Sequence, residues 1–153
     1  MIDLALIWVG IIGLGVLIYV VMDGFDLGIG ILFPFIKDHQ ERDVMMNTVA
    51  PVWDGNETWM VLGGASLYAA FPLAYATVLS ALYLPITFMV VALIFRGVAF
   101  EFRFKATRTK YLWDQAFIWG SILSSFFQGV ILGAYIQGIE TTHGIYSGAA
   151  WDW

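Results

Sequence analysis

The sequence predicts an all-α integral membrane protein: a single transmembrane domain of four antiparallel helices in a bundle, with both termini outside. Three observations carry this. Of the 153 residues, 60% are apolar and only 12% are charged, where a soluble domain would carry about a quarter charged. The apolar residues fall into four blocks, each long enough to cross a hydrocarbon core of about 30 Å, which takes roughly 20 helical residues. All seven Lys and Arg side chains lie toward one side of those blocks, and positive loops stay in the cytoplasm.

The first span covers residues 4–36, longer than a perpendicular crossing needs, so it tilts or projects. Met1-Ile2-Asp3 carries an acid where a cleaved signal carries Lys or Arg, so this segment is expected to stay in the mature chain. Its second half holds Asp23 and Asp26, three residues apart and therefore on one helix face, which should point inward. Gly24 and Gly28 form a small-xxx-small pair suited to a close helix neighbour. A first cytoplasmic loop, residues 37–50, contains Lys37 and Arg42. Pro51 then suits the first turn of a second span over 51–70. That span opens with Trp53-Asp54-Gly55-Asn56-Glu57-Thr58-Trp59, two acids and an amide where lipid is expected, and continues through small residues around Gly63-Gly64.

Phe71-Pro72 ends the second span, and a third follows over 73–100 with Pro85 kinking it and Arg96 in its last turns. The second cytoplasmic loop, 101–112, carries Arg103, Lys105, Arg108 and Lys110. The fourth span, 113–139, is polar for a span, with Gln115, Ser121, Ser124, Ser125, Gln128 and Gln137 suited to helix-facing positions. The tail, residues 140–153, ends in Trp151 and Trp153, which suit a membrane interface.

With this topology Asp26 lies roughly 16 Å into the membrane from Lys37 and Asp23 about 20 Å. Asp54, Glu57 and Arg96 are shallower. The buried charges thus rise from the cytoplasmic surface to about mid-membrane, with no counterpart in the outer half. A charge at the bilayer centre costs roughly 2.5–3.5 kcal/mol on insertion scales, so several in one small chain need a reason. One reason is a proton path in which Asp, Glu, Asn and trapped water relay protons inward. The other is structural: Arg96 pairs with Asp54 or Glu57, Asp23 and Asp26 share a proton, and Asn56 or Glu57 caps the helix start.

Other chemistry finds little support. The absence of cysteine excludes disulfides and thiolate-held metals or clusters. His39 in the first loop and His143 in the tail fall on opposite sides, so no histidine pair ligates a haem within the bundle. Met45, Met46, Met60 and Met89 read as packing. No phosphate loop, metal triad or nucleophile motif is present, and no feature suggests nucleic-acid binding.

Asp23-Gly24-Phe25-Asp26-Leu27-Gly28, Ala50-Pro51-Val52-Trp53-Asp54-Gly55-Asn56-Glu57 and Phe95-Arg96-Gly97-Val98-Ala99-Phe100-Glu101-Phe102-Arg103 resemble, in order, signature segments of subunit II of the cytochrome bd quinol oxidases. The resemblance covers essentially the whole chain but only the first half of the family's subunit, which is built from two four-helix halves. It implies a terminal oxidase of the prokaryotic cytoplasmic membrane that oxidises quinol, reduces oxygen to water and contributes to the proton gradient without the pumping of haem-copper oxidases. Haems b and d and the quinol site are then expected in subunit I, and no cofactor or metal in this chain. The implied role here is a non-catalytic one, assisting assembly and supplying a proton route from the cytoplasm. By motif match the route runs through Asp54, then Asp26 and Asp23, with Glu57 beside them and Arg96 as electrostatic partner. Trp59 is implied to border an oxygen path toward haem d. The partners expected are subunit I, the second half of subunit II, a small accessory subunit and membrane lipid. Two rival readings remain: one repeat of a proton-coupled transporter, and an inert scaffold whose buried charges are paired.

Overall fold

The computed structural model describes residues 3–142 and 145–149. His143, Trp151 and Trp153 lie outside them. The described chain is almost entirely helical. Helix α1, Leu4–Leu32, starts at Asp3, whose carboxylate accepts the Ala5 N–H at 3.0 Å, satisfying one of the donors a helix start leaves free. It tightens into a 3₁₀ turn at Phe33–Phe35 around Pro34. Helix α2, His39–Val49, is capped in the same way by Asp38, which accepts the Gln40 N–H at 2.7 Å. Most of the segment expected as the first loop is therefore helix.

Helices α3, Trp53–Ala70, and α4, Pro72–Phe102, are joined by Phe71 alone. Helix α4 departs from helical geometry at Leu82 (φ −113°, ψ 17°). Pro85, three residues on, has no N–H to offer the preceding turn, which accounts for the expected kink. Helix α5, Lys110–Gln137, begins three residues before the expected span and ends at Gly138, whose φ of +94° suits glycine. Strands β1, Thr141–Thr142, and β2, Ile145–Tyr146, then pair antiparallel.

Three segments are long and apolar enough to cross a membrane: Leu4–Phe35, Pro72–Phe102 and Lys110–Gln137. Helix α3, expected as the second of four spans, is not among them. It has only 18 residues, and its first turns hold Asp54, Asn56, Glu57 and Thr58. It packs nonetheless against α1 and α4, while α5 packs against α4 and α1.

The core lies in three tiers. At the end bearing α2, Phe33, Met46, Val49, Phe100 and Phe117 interlock, with the Phe33 and Phe117 rings edge to face at 5.1 Å. Leu27, Met89 and Leu93 fill the middle, and Ala81, Leu82 and Ala134 the far end. Met46 and Met89 are thus packing residues. Outward positions carry large apolar side chains such as Leu6, Val21, Phe25 and Ile136. Among the described residues no helix sits close against Gly24 or Gly28, since a Cβ at either would meet nothing within 4 Å. The close approaches are elsewhere: Gly30 faces Ser121, and a Cβ at Gly120 would lie 2.7 Å from the Ala92 carbonyl oxygen.

Candidate functional site

Asp23 and Asp26 are on the inner face of α1, as their spacing predicts, and neither is exposed at all. Each has a different partner. Arg96 of α4 donates from Nη2 to Asp23 Oδ1 at 2.6 Å and to Glu57 Oε2 of α3 at 3.0 Å. One guanidinium nitrogen therefore joins three helices. The side chains of Arg96 and Asp23 are wholly buried, whereas that of Glu57 is 22% exposed. Asp26 instead accepts the Asn56 amide of α3 at 2.9 Å in a buried hydrogen bond.

The two acids of α3 thus diverge. Glu57 turns in to Arg96, while Asp54 is exposed and its carboxylate forms no hydrogen bond or ion pair among the described residues. The backbone carbonyl of Asp54 accepts the Thr58 hydroxyl at 2.8 Å. Of the structural pairings weighed from sequence, Arg96–Glu57 forms and Arg96–Asp54 does not. Asp23 and Asp26 do not bond to each other. Asn56 is not a cap either: the residue preceding the helix is Val52, without a side-chain cap. Trp59 is half-buried farther along α3.

The cluster is incompletely satisfied by protein. Asp23 Oδ2, Asp26 Oδ1, Arg96 Nε and Arg96 Nη1 are buried without a protein partner, and a buried polar group left so costs about 1–3 kcal/mol. Two carboxyl groups contact one guanidinium here, with the Asp26 carboxyl one turn along α1 from Asp23. Unpaired polar atoms of this kind favour polar surroundings over apolar packing. Farther toward the middle, Gln128 of α5 donates to the Tyr19 hydroxyl at 2.6 Å, tying α5 to α1 one turn beyond Asp23.

A second charged group, not anticipated from sequence, closes the α2 end. Arg103 is fully buried and donates to Asp114 of α5 and, at 2.5 Å, to Asp43 of α2. Lys110 reaches Asp43 at 3.0 Å, and Arg42 donates to Asp114 at 3.2 Å and to the Ile36 carbonyl at 2.7 Å. The guanidiniums of Arg42 and Arg103 both lie over the Phe33 ring, at 5.2 and 5.3 Å. The two basic segments therefore meet at one end of the molecule. Burial works to raise the Asp43 carboxyl, but hydrogen bonds and charge from Arg103 and Lys110 outweigh it and hold it below the usual value. The missed signal was Asp114 itself, an acid beside the basic segment that needed a cation partner.

Among the described residues no three His, Asp or Glu side chains are grouped to hold a metal ion. His39, the one described histidine, is exposed at the start of α2.

A family profile described as cytochrome bd terminal oxidase subunit II matches residues 4–153. Cytochrome bd ubiquinol oxidase subunit 2 of Bacillus subtilis is 39% identical over 140 residues, covering 90% of this chain and 40% of that protein. Cytochrome bd-I ubiquinol oxidase subunit 2 of Escherichia coli is 37% identical over 139 residues, covering 89% and 37%. The probable cytochrome oxidase subunit 2 of Haemophilus influenzae is 35% identical over 140 residues, covering 86% and 37%. The chain spans about two fifths of the length of the relatives it matches.

Proposed function

The chain belongs to the cytochrome bd terminal oxidase subunit II family, and from that premise we propose that it serves as a haem-free part of a quinol-oxidising, oxygen-reducing complex in the prokaryotic cytoplasmic membrane. Haems b and d belong to a partner, subunit I, and the rest of subunit II and a small accessory subunit complete the assembly. Exposed apolar side chains along α1 and α5, among them Val21, Phe25 and Ile136, suit cover by these partners and by lipid.

The chain contributes four antiparallel spans with α2 and the α4–α5 connection in the cytoplasm and both termini outside. Two observations support this. Trp53 meets Gly97 and Phe100 while Glu57 meets Arg96, so α3 and α4 run in opposite senses. Arg42, Arg103 and Lys110 converge at one end, as cytoplasmic loops should.

Within the complex the chain supplies a proton route from the cytoplasm. Asp54 is the entry, Glu57 the relay at the boundary, and Asp23 and Asp26 the inner carriers, with Arg96 balancing the charge. The observation that carries this reading is the Asp23–Arg96–Glu57 contact beside Asp26–Asn56, a buried acidic group that reaches the exposed face of α3 through Glu57. Trp59, half-buried on the same helix, borders the oxygen path.

Purification through a tag on this chain tests the reading. Haem b and d bands in the reduced-minus-oxidised spectrum and a copurifying partner are expected; a haem-free assembly would sink it. In that complex Asp54→Asn should leave haem content intact and slow quinol-driven oxygen uptake by about a hundredfold. Parental turnover in Asp54→Asn would remove Asp54 from the route.

A further inference from the structure

Trp53 is the first residue of α3, and its indole stacks on the Phe100 ring of α4 at 5.2 Å and 19°. The six-membered edge lies over Gly97, where a Cβ would come within 3.1 Å of the ring. A residue without a side chain lets the ring seat there undisplaced. Phe100 is held in turn by Phe117 of α5, edge to face at 5.2 Å, so the surface under Trp53 is rigid. One turn along α3 from Trp53 stand Asn56 and Glu57, and Arg96 immediately precedes Gly97. The Trp53–Gly97 contact and the Glu57–Arg96 ion pair therefore join the same two helices one turn apart. Residues three and four apart share a helix face, so the depth at which Trp53 seats sets where Asn56 and Glu57 project.

We infer that Trp53 is a positioning residue, holding α3 at the register in which Glu57 reaches Arg96 and Asn56 reaches Asp26. The stack explains why α3, too polar at its start to be drawn into place by lipid alone, presents its acids at a fixed height. The consequence for turnover rests on the proton-route reading above; the consequence for register does not.

The chain has no cysteine, which permits a clean register gauge. A Cβ at Gly63 of α3 would lie 3.3 Å from Val16 Cγ2 of α1, so side chains at the two positions are in direct contact, as a disulfide between them requires. In the assembled complex the pair Val16→Cys with Gly63→Cys should crosslink readily within the chain. Adding Trp53→Phe, which keeps a ring toward Phe100 but falls short of Gly97, should lose less of both crosslink and turnover than Trp53→Ala. Adding Trp53→Ala should reduce crosslinking severalfold and, without the gauge cysteines, slow oxygen uptake by about tenfold, since displacements near 1 Å carry penalties of this size or greater. The double variant Trp53→Ala with Glu57→Gln should be slower than Glu57→Gln by less than Trp53→Ala costs alone, because part of the effect of Trp53 passes through Glu57 and the rest through Asn56. Full crosslinking in Trp53→Ala, or multiplicative losses in the double variant, would overturn the inference. Where Trp53→Ala does not assemble, Gly97→Ala displaces the same ring by a few tenths of an ångström and should give a smaller loss of crosslinking; none would refute the role. A parental complex without oxidase activity defeats the proton-route reading, while the crosslink still decides the positioning of α3.

Discussion

Asp23 and Arg96, 73 positions apart in the chain, meet at 2.6 Å with neither side chain exposed. The pair cannot be treated as an ordinary salt bridge. Removing two charges from water costs several kcal/mol per ion, and their attraction repays this only where the remaining polar atoms are satisfied. Here Asp23 Oδ2 and two nitrogens of Arg96 have no protein partner. The pair is therefore better understood as a device that holds a charged group inside an apolar bundle than as a source of net stability.

Breaking it from one side should be worse than removing it. Arg96→Leu leaves Asp23 and Glu57 without their cation and should destabilise the chain by about 3–5 kcal/mol. Adding Asp23→Asn should recover part of that loss, because the fully buried uncompensated carboxylate disappears. Thermal unfolding of the complex in mild detergent measures both. A double variant less stable than Arg96→Leu would mean that Asp23 contributes through contacts other than the arginine.

The Asn56–Asp26 hydrogen bond makes a separate prediction. Asn56 supplies the one protein donor to Asp26 among the described residues, at 2.9 Å. Asn56→Ala should cost about 1–3 kcal/mol through the carboxyl group left unpaired. Asn56→Asp should cost more, since it replaces the donor by a second acid. The same unfolding measurement separates them, and equal stabilities for the two variants would show that Asp26 is satisfied by water.

The inward face of α1 was legible from the Asp23–Asp26 spacing, because a helix turns both to one side whatever surrounds it. The distribution of Lys and Arg put the two basic segments toward one side, but their junction through Asp43 and Asp114 was not legible. The difference between Asp54 and Glu57 was not legible. They are three residues apart at a helix start, and which one faces in depends on the rotation of α3, which the seat of Trp53 on Gly97 and Phe100 sets. Close helix contacts were equally hidden: with 16 glycines available, nothing local distinguishes Gly30 and Gly120, which are tight, from Gly24 and Gly28, which are not. Helix α2 did carry a readable start, Asp38 with Glu41 three residues later, a capping pattern masked by the polarity of the segment.

Acid should loosen the α2 end through Asp43. Its carboxyl lies below the ordinary value because Arg103 and Lys110 together outweigh its partial burial. Folding therefore favours the ionised form. The resulting stabilisation is fully present above the unfolded value of about 3.9 and is lost as pH falls through the lower folded value. Asp43→Asn removes this dependence. Unfolding followed from about pH 6 to about pH 3 should show the parent losing its advantage over Asp43→Asn as the pH drops. The carboxylate is partly open to solvent, so the difference should be small and should shrink further in high salt. A gap between the two proteins that widens in acid would reverse the assignment.

Gly120 and Gly129 lie on α5 nine residues apart, and substituting them should have opposite consequences. A Cβ at Gly120 would stand 2.7 Å from the Ala92 carbonyl oxygen and 3.0 Å from the Arg96 nitrogen and Cβ, all of them groups of α4 that cannot rotate away. Gly120→Ala should therefore push α5 off α4 at the residue that carries the buried guanidinium. Overpacking of this kind costs about 1–3 kcal/mol. The displacement should also reach Asp23 and Glu57, because Arg96 holds both through a single nitrogen. At Gly129 a Cβ meets nothing within 4 Å, and alanine gains up to about 1 kcal/mol in helix propensity, so Gly129→Ala should leave stability unchanged or raise it. Comparing the two by thermal unfolding and by oxygen uptake in the assembled complex distinguishes a helix contact from a mere change of side chain. Loss of turnover in Gly120→Ala with Gly129→Ala unaffected would tie the α4–α5 contact to the charged group, and equal behaviour would place Arg96 beyond the reach of that contact.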